Sequence, residues 1–184
     1  GIYLIDGFGG GGVVRLTRAS GEADRPLGFS RDGSQIYFFR PVPRFPNPTD
    51  EPIGSLFAVN QDGSGLRRIT PPDMPVSVTG TSGGRLSTDG RWIVFSSEGI
   101  IWMIQPDGSG LTKVFEDPEG GPAITPTWSP DGRFIMFALD PPGTFATLDV
   151  APPSTLYVVR ADGSEPMPIL VSDAWTKAPD WVAA

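Results

Sequence analysis

The 184-residue chain contains neither histidine nor cysteine. Without an imidazole there is no general base titrating near neutrality, no histidine metal ligand and no Ser-His-Asp triad. Without a thiol there is no thiolate nucleophile, no thiolate zinc site and no disulfide, and the absence of stray thiols suits an oxidising compartment. No apolar run approaches the roughly 20 residues of a membrane-spanning helix. No basic-then-apolar leader precedes the strand-like run at Gly1, as expected of a sequence whose leader was removed or not included. Positive charge is the scarcer sign, with 14 Lys and Arg against 21 Asp and Glu. The acidic excess is uneven: residues 101–150 carry a net −5, residues 1–50 a net +1. An acidic surface repels phosphate, so nucleic acid is not an expected partner.

What the chain does have is glycine, proline and aromatics. There are 24 Gly and 21 Pro, close to a disordered composition, but also 11 Phe, 5 Trp and 3 Tyr set in short blocks between the turn residues. Many short strands joined by tight turns give that pattern.

Two families of Asp-Gly turn alternate. One lies in S-x-D-G segments at Asp32-Gly33, Asp89-Gly90 and Asp131-Gly132; the other, followed each time by Ser, lies at Asp62-Gly63, Asp107-Gly108 and Asp162-Gly163. Apolar blocks flank them, such as Ile36 to Phe39, Trp92 to Phe95 and Phe134 to Phe137 after the first family, and Leu56 to Val59 before the second. Asp-Gly between two such blocks signals a hairpin, because Gly reaches positive φ without a steric cost. The shortest full cycle, Asp89 to Asp131, is 42 residues, the length of a four-stranded propeller blade. The blocks are apolar on both alternating faces, as expected of sheets covered on both sides. A β-sandwich would show one-sided alternation and no such cycle.

The segment Trp128-Ser129-Pro130-Asp131-Gly132-Arg133-Phe134-Ile135-Met136-Phe137 resembles the W-S-P-D-G-x-x-I-x-F signature of TolB-like, WD-repeat-related β-propellers. Ile101-Trp102-Met103-Ile104-Gln105-Pro106-Asp107-Gly108-Ser109 is similar to their I-Y-V-x-D-x-D-G-S segment. Phe29 and Leu86 stand where Trp128 stands, and Arg31 and Thr88 replace Pro130, which keeps an apolar anchor and a turn. The expected fold class is therefore all-β, a β-propeller of four-stranded antiparallel blades with about four blades' worth present, part of a longer chain. The expected division is a half blade over 1–17, blades over about 25–70, 84–115 and 125–171, and the start of a further blade over 178–184.

Numbering the strands of a blade one to four puts both Asp-Gly families at one end of every sheet. The longer connections, residues 41–54, 71–85, 116–125 and 140–154, then fall at the other end. Loops on a rigid scaffold carry recognition, and their prolines lower the entropy lost on binding. Arg44, Phe45, Met74 and Phe145 are the expected partner-binding residues, because Arg, Met and aromatics concentrate in interface cores.

Other motifs are set aside. Asn60-Gln61-Asp62-Gly63-Ser64 begins like a calcium loop but has no Glu at the twelfth position. Gly9 to Gly12 has no Lys-Ser/Thr after it and is no phosphate loop. Glu116, Asp117 and Glu119 read as a solvated loop. No catalytic residue, cofactor or metal is expected. The leading expectation is a non-enzymatic protein-interaction or scaffold module docking on a protein partner or a larger, membrane-associated assembly. The TolB-like resemblance implies an envelope setting, hence a periplasmic or extracellular location. The alternative is the gating propeller of a prolyl-oligopeptidase-type serine peptidase whose catalytic domain lies outside this chain.

Overall fold

A computed structural model describes residues 1–5, 12–18, 23–42, 53–77, 84–143, 153–171 and 179–181. All regular structure among them is β-strand, arranged as four antiparallel sheets that follow one another along the chain. The first pairs β1 (Tyr3–Ile5) with β2 (Val13–Arg15). The second runs β3 (Arg25–Phe29), β4 (Gln35–Val42), β5 (Ile53–Asn60), β6 (Arg67–Arg68), with β7 (Val76–Ser77) also paired to β5. The third runs β8 (Arg85–Leu86), β9 (Ile93–Ser97), β10 (Ile100–Ile104), β11 (Thr112–Phe115). The fourth runs β12 (Ala123–Trp128), β13 (Phe134–Leu139), β14 (Thr155–Arg160), β15 (Met167–Val171). The inner strand β8 lies against β3 on one side and β12 on the other.

Strand periodicity explains why the apolar blocks are continuous. Along β4, Ile36 and Phe38 pack toward the first sheet with Ile2, Leu16 and Val59, while Tyr37 and Phe39 pack toward the third with Ile93, Phe95 and Ile104. Along β9 the roles alternate again: Ile93 and Phe95 face the second sheet and Val94 faces the fourth. The second and third sheets are thus each a shared wall between two cores, whereas β1 and β2 of the first and β15 of the fourth leave Ile5, Val13 and Val171 exposed. All five residues of β9 and all six of β12 are buried.

Prolines decide where the pattern departs from expectation. Strands β4 and β5 extend through Pro41 paired with Gly54 and Val42 paired with Ile53, so part of the segment expected as a loop over 41–54 is hairpin. Pro41 sits beyond the last residue of β4 that pairs with β3, where β4 has a partner on one side only. Pro71 and Pro72 cannot donate to a ladder. The outer strand accordingly stops after β6, turns with the Met74 N–H donating to the Pro71 carbonyl at 3.2 Å, and resumes as β7 on the same neighbour. Of the segment expected to open a further blade, Pro179 to Trp181 lie outside any strand.

Candidate interaction surfaces at the two ends of the sheets

The repeated Asp-Gly segments close one end of the second, third and fourth sheets, each family with its own recurring hydrogen bonds. In the first family a serine hydroxyl donates to the aspartate two residues on: Ser30 to Asp32 at 2.6 Å, Ser87 to Asp89 at 2.7 Å, Ser129 to Asp131 at 2.6 Å. The same serine oxygen accepts the N–H that opens the next strand, from Gln35 at 2.9 Å, Trp92 at 3.0 Å and Phe134 at 2.9 Å. In the second family the aspartate accepts both the backbone N–H and the hydroxyl of the serine after glycine, at 2.8 and 2.6 Å for Asp62–Ser64 and 2.8 and 2.7 Å for Asp107–Ser109. These are Asx-type turns, with the carboxylate closing the loop in place of a backbone carbonyl. The second-family glycines answer a further need. A Cβ at Gly108 or Gly163 would press on the carbonyl of Ile69 or Val114, at 3.2 and 2.8 Å, beside the preceding sheet, while one at Gly63 would only touch that of Leu16. Positive φ selects glycine at all three, and the close approach adds to it at Gly108 and Gly163.

The turn carboxylates are held in their charged form. The Ser30 hydroxyl, followed by the Ser34 N–H and hydroxyl, lowers Asp32 to about 2. The Ser129 hydroxyl, then the Arg133 N–H, lowers Asp131 to about 2. Asp62, Asp89, Asp107 and Asp162 are lowered by the equivalent serine bonds. A carboxyl-detected NMR titration is expected to find Asp32 and Asp131 still ionised at about pH 3, with the other four also below the ordinary 3.8. Because the folded values are depressed, the turns stabilise the protein fully above the ordinary carboxylate range and lose that contribution as pH falls through the lowered values. Midpoints at or above the ordinary value would mean the serine bonds do not persist in solution.

The opposite end has its own buried polar anchor. Asp24, just before β3, has a fully enclosed side chain and accepts Arg40 Nε at 2.8 Å and Nη2 at 2.9 Å. The Thr17 hydroxyl donates to Asp24 at 2.5 Å while accepting the Ile2 N–H at 2.8 Å. The Arg40 guanidinium also lies over the Phe38 and Phe57 rings, 5.2 and 5.1 Å from their centroids. Burial pushes the Asp24 carboxyl up, but the bonds from Arg40 and Thr17 and the Arg40 charge outweigh it and hold the group lowered. A similar buried tie, Ser154 hydroxyl to Asp140 at 2.6 Å, fixes the base of the connection after β13.

Of the expected partner-binding residues, Arg44, Phe45 and Phe145 lie outside the described residues. Met74 is half-buried and packs on the core between the second and third sheets, so part of its side chain serves the fold. Sequence reasoning passed over the clefts on the turn end. One of about 640 Å³ lies among the turns of three sheets, lined by Arg31, Asp89, Trp92, Met103, Trp128 and Asp131 among others. Trp128, among its lining residues, donates its indole N–H to the Arg85 carbonyl of the preceding sheet at 3.2 Å. Among the described residues no group of three or more acidic side chains is placed to hold a metal, and no helix is long and apolar enough to cross a membrane.

Antiparallel sheets with shared walls, inner strands side by side and hairpin turns at one end define a β-propeller. No protein-family model matches the chain. The solved structure of a putative TolB from Agrobacterium tumefaciens superposes on 96% of it with a TM-score of 0.63 and 20% identity, over 59% of that protein. A stretch of the Tol-Pal system protein TolB from Nitratidesulfovibrio vulgaris is 45% identical over 38 residues, 21% of this chain and 8% of that protein. The tricorn protease of Thermoplasma acidophilum is 30% identical over 148 residues, 71% of this chain and 12% of the protease. The chain has the TolB-like β-propeller fold. It spans only a small part of the length of either curated relative.

Proposed function

We propose that the chain is a non-enzymatic protein-interaction or scaffold module, periplasmic or extracellular, that docks a protein partner or larger assembly through the long-connection end of its sheets. The observation that carries this reading is the difference between the two ends. Six short connections at the turn end, such as 30–34 and 129–133, are closed by hydrogen-bonded Asp-Gly turns. The connections at the other end, such as 43–52 and 140–154, are longer in sequence, and the Asp24–Arg40 and Asp140–Ser154 ties lie at that end. The likeness to a Tol-Pal system protein and the lack of cysteine support the setting. A second reading, the gating propeller of a serine peptidase, is favoured by the identity with a segment of tricorn protease. A G-x-S-x-G elbow with later Asp and His in the same reading frame would select it.

Photo-crosslinking groups at Phe45 and Phe145 are expected to trap a protein partner in an envelope extract, and one at Ser64 is not. Arg44, Phe45, Met74 and Phe145 are the proposed anchors. Truncating a true anchor to Ala is expected to weaken binding of the trapped partner by about 2 kcal/mol, roughly thirtyfold, with each variant's melting curve recorded alongside. Changes at Ser34, Ser64 and Ser109 should stay within a factor of a few. Crosslinks concentrated on the Asp-Gly turns would reverse the assignment of faces.

A further inference from the structure

A cleft of about 570 Å³ opens at the turn end where the second sheet meets the third. Gln35 and Tyr37 of β4 and Arg67 of β6 form one wall, and Arg91, Trp92 and the Gln105–Asp107 turn form the other. The repeat does not ask for Arg67. Counted from the second-family serines, its equivalents are Thr112 in β11 and Met167 in β15, both uncharged. Yet Arg67 is half-buried, its Nη1 is enclosed without a hydrogen-bond partner, and its Nη2 makes one long bond of 3.4 Å to Gln35 Oε1. Buried polar nitrogens are nearly always paired, and leaving one unpaired on a cation is costlier still. A guanidinium held by so weak a tie can turn about its outer bonds and face the cleft without giving up a good bond.

We propose that this cleft binds the carboxylate of an acidic side chain in a partner peptide, with Arg67 as the anchor. A planar guanidinium matches a carboxylate in bidentate geometry, and the charge strengthens both bonds. Arg91, which is mostly exposed and only 3.7 Å from the Asp89 carboxylate, supplies a second cation at the rim. Trp92 and Pro106 offer apolar surface to the methylenes of a glutamate, and the Gln105 amide can pair with peptide backbone. Asp107 decides between anions. Its Oδ1 accepts the Ser109 N–H and hydroxyl, so it stays charged. With Asp89 beside Arg91, two cations face two carboxylates, so a monoanion brings one excess negative charge to the cleft where a phosphate dianion brings two, and the monoanion is favoured. The cleft lies at the opposite end of the sheets from the proposed docking face, so either reading can fail without the other.

The test uses the whole chain, isotope-labelled, with the capped tripeptide acetyl-Ala-Glu-Ala-amide as probe. The Trp92 indole and Arg67 guanidinium signals are expected to shift saturably, and acetyl-Ala-Gln-Ala-amide should bind at least tenfold more weakly. Arg67→Thr, which installs the residue found at the equivalent position 112, should lose at least tenfold in affinity for the Glu peptide; Arg67→Lys should fall between. Equal binding of the Glu and Gln peptides to the unaltered protein overturns the proposal, and so does unchanged binding by a folded Arg67→Thr chain. Tighter binding of glucuronate or inorganic phosphate than of the Glu peptide also overturns it, and would assign the cleft to a small anion. If Arg67→Thr does not fold, the Glu-against-Gln comparison and Arg67→Lys decide the matter alone.

Discussion

Phe137→Ala is expected to lower unfolding stability by about 4 kcal/mol, the range measured for large aromatic truncations in cores. The side chain is completely enclosed in the core between the third and fourth sheets. Its ring centroid lies 4.6 Å from Phe115 of the preceding sheet and 5.8 Å from Tyr157 on the neighbouring strand. Three rings therefore meet across one wall, and truncation leaves a cavity that strands on both sides cannot close without shifting register. Beyond a lower denaturation midpoint, amide exchange should rise in β12 to β15 more than in β3 to β6, since Phe137 joins the fourth sheet to the third. A loss under about 1 kcal/mol would show that the two sheets do not share this core in solution.

Asp24→Asn should cost about 3 kcal/mol, because it leaves the Arg40 guanidinium largely buried with no counter-charge. Arg40 keeps its two ring contacts, and those recover only part of the loss. The pH dependence has a definite sign. The Asp24 carboxyl is lowered in the folded state, so its contribution is complete above the ordinary carboxylate range and disappears as pH falls through the lowered value. Urea titrations at neutral and acidic pH should therefore show the unaltered protein converging on Asp24→Asn as the solution is acidified. The double variant Asp24→Leu, Arg40→Met should be less destabilised than Asp24→Asn, since removing both charges leaves none unpaired. Equal loss in both variants would mean that packing, and not the ion pair, accounts for the effect.

The two networks at opposite ends of the sheets differ in how far they could be read in advance. The S-x-D-G and D-G-S turns were legible because each bond closes within five residues and uses side chains chosen for that geometry. The Asp24 anchor joins residues up to 16 positions apart, through a threonine and an arginine that carry no local signal. Arg40 follows the apolar block Ile36 to Phe39, and nothing local marks it as the partner of a carboxylate 16 positions away. Met74 reads as an interface residue from its chemistry, and the chain reversal at Pro71-Pro72 also seats part of its side chain on the core. Arg67 breaks the repeat at a position where the other outer strands carry Thr112 and Met167, and only the cleft beside it gives that break a meaning.

By itself the sequence determined the repeating strand blocks, the Asp-Gly turns and the burial of both faces of the inner sheets. Those follow from Asp-Gly chemistry and two-residue periodicity, which act within a hairpin and need no knowledge of the neighbouring blade. Only the tertiary structure decided which blade presses on which. It seated Gly63, Gly108 and Gly163 against the preceding outer strand, enclosed Asp24 between two sheets, and left one guanidinium nitrogen of Arg67 unpaired at a seam. The reason is range: hydrogen bonds inside a turn are set by residues adjacent in the chain, whereas contacts between blades depend on how separate sheets stack.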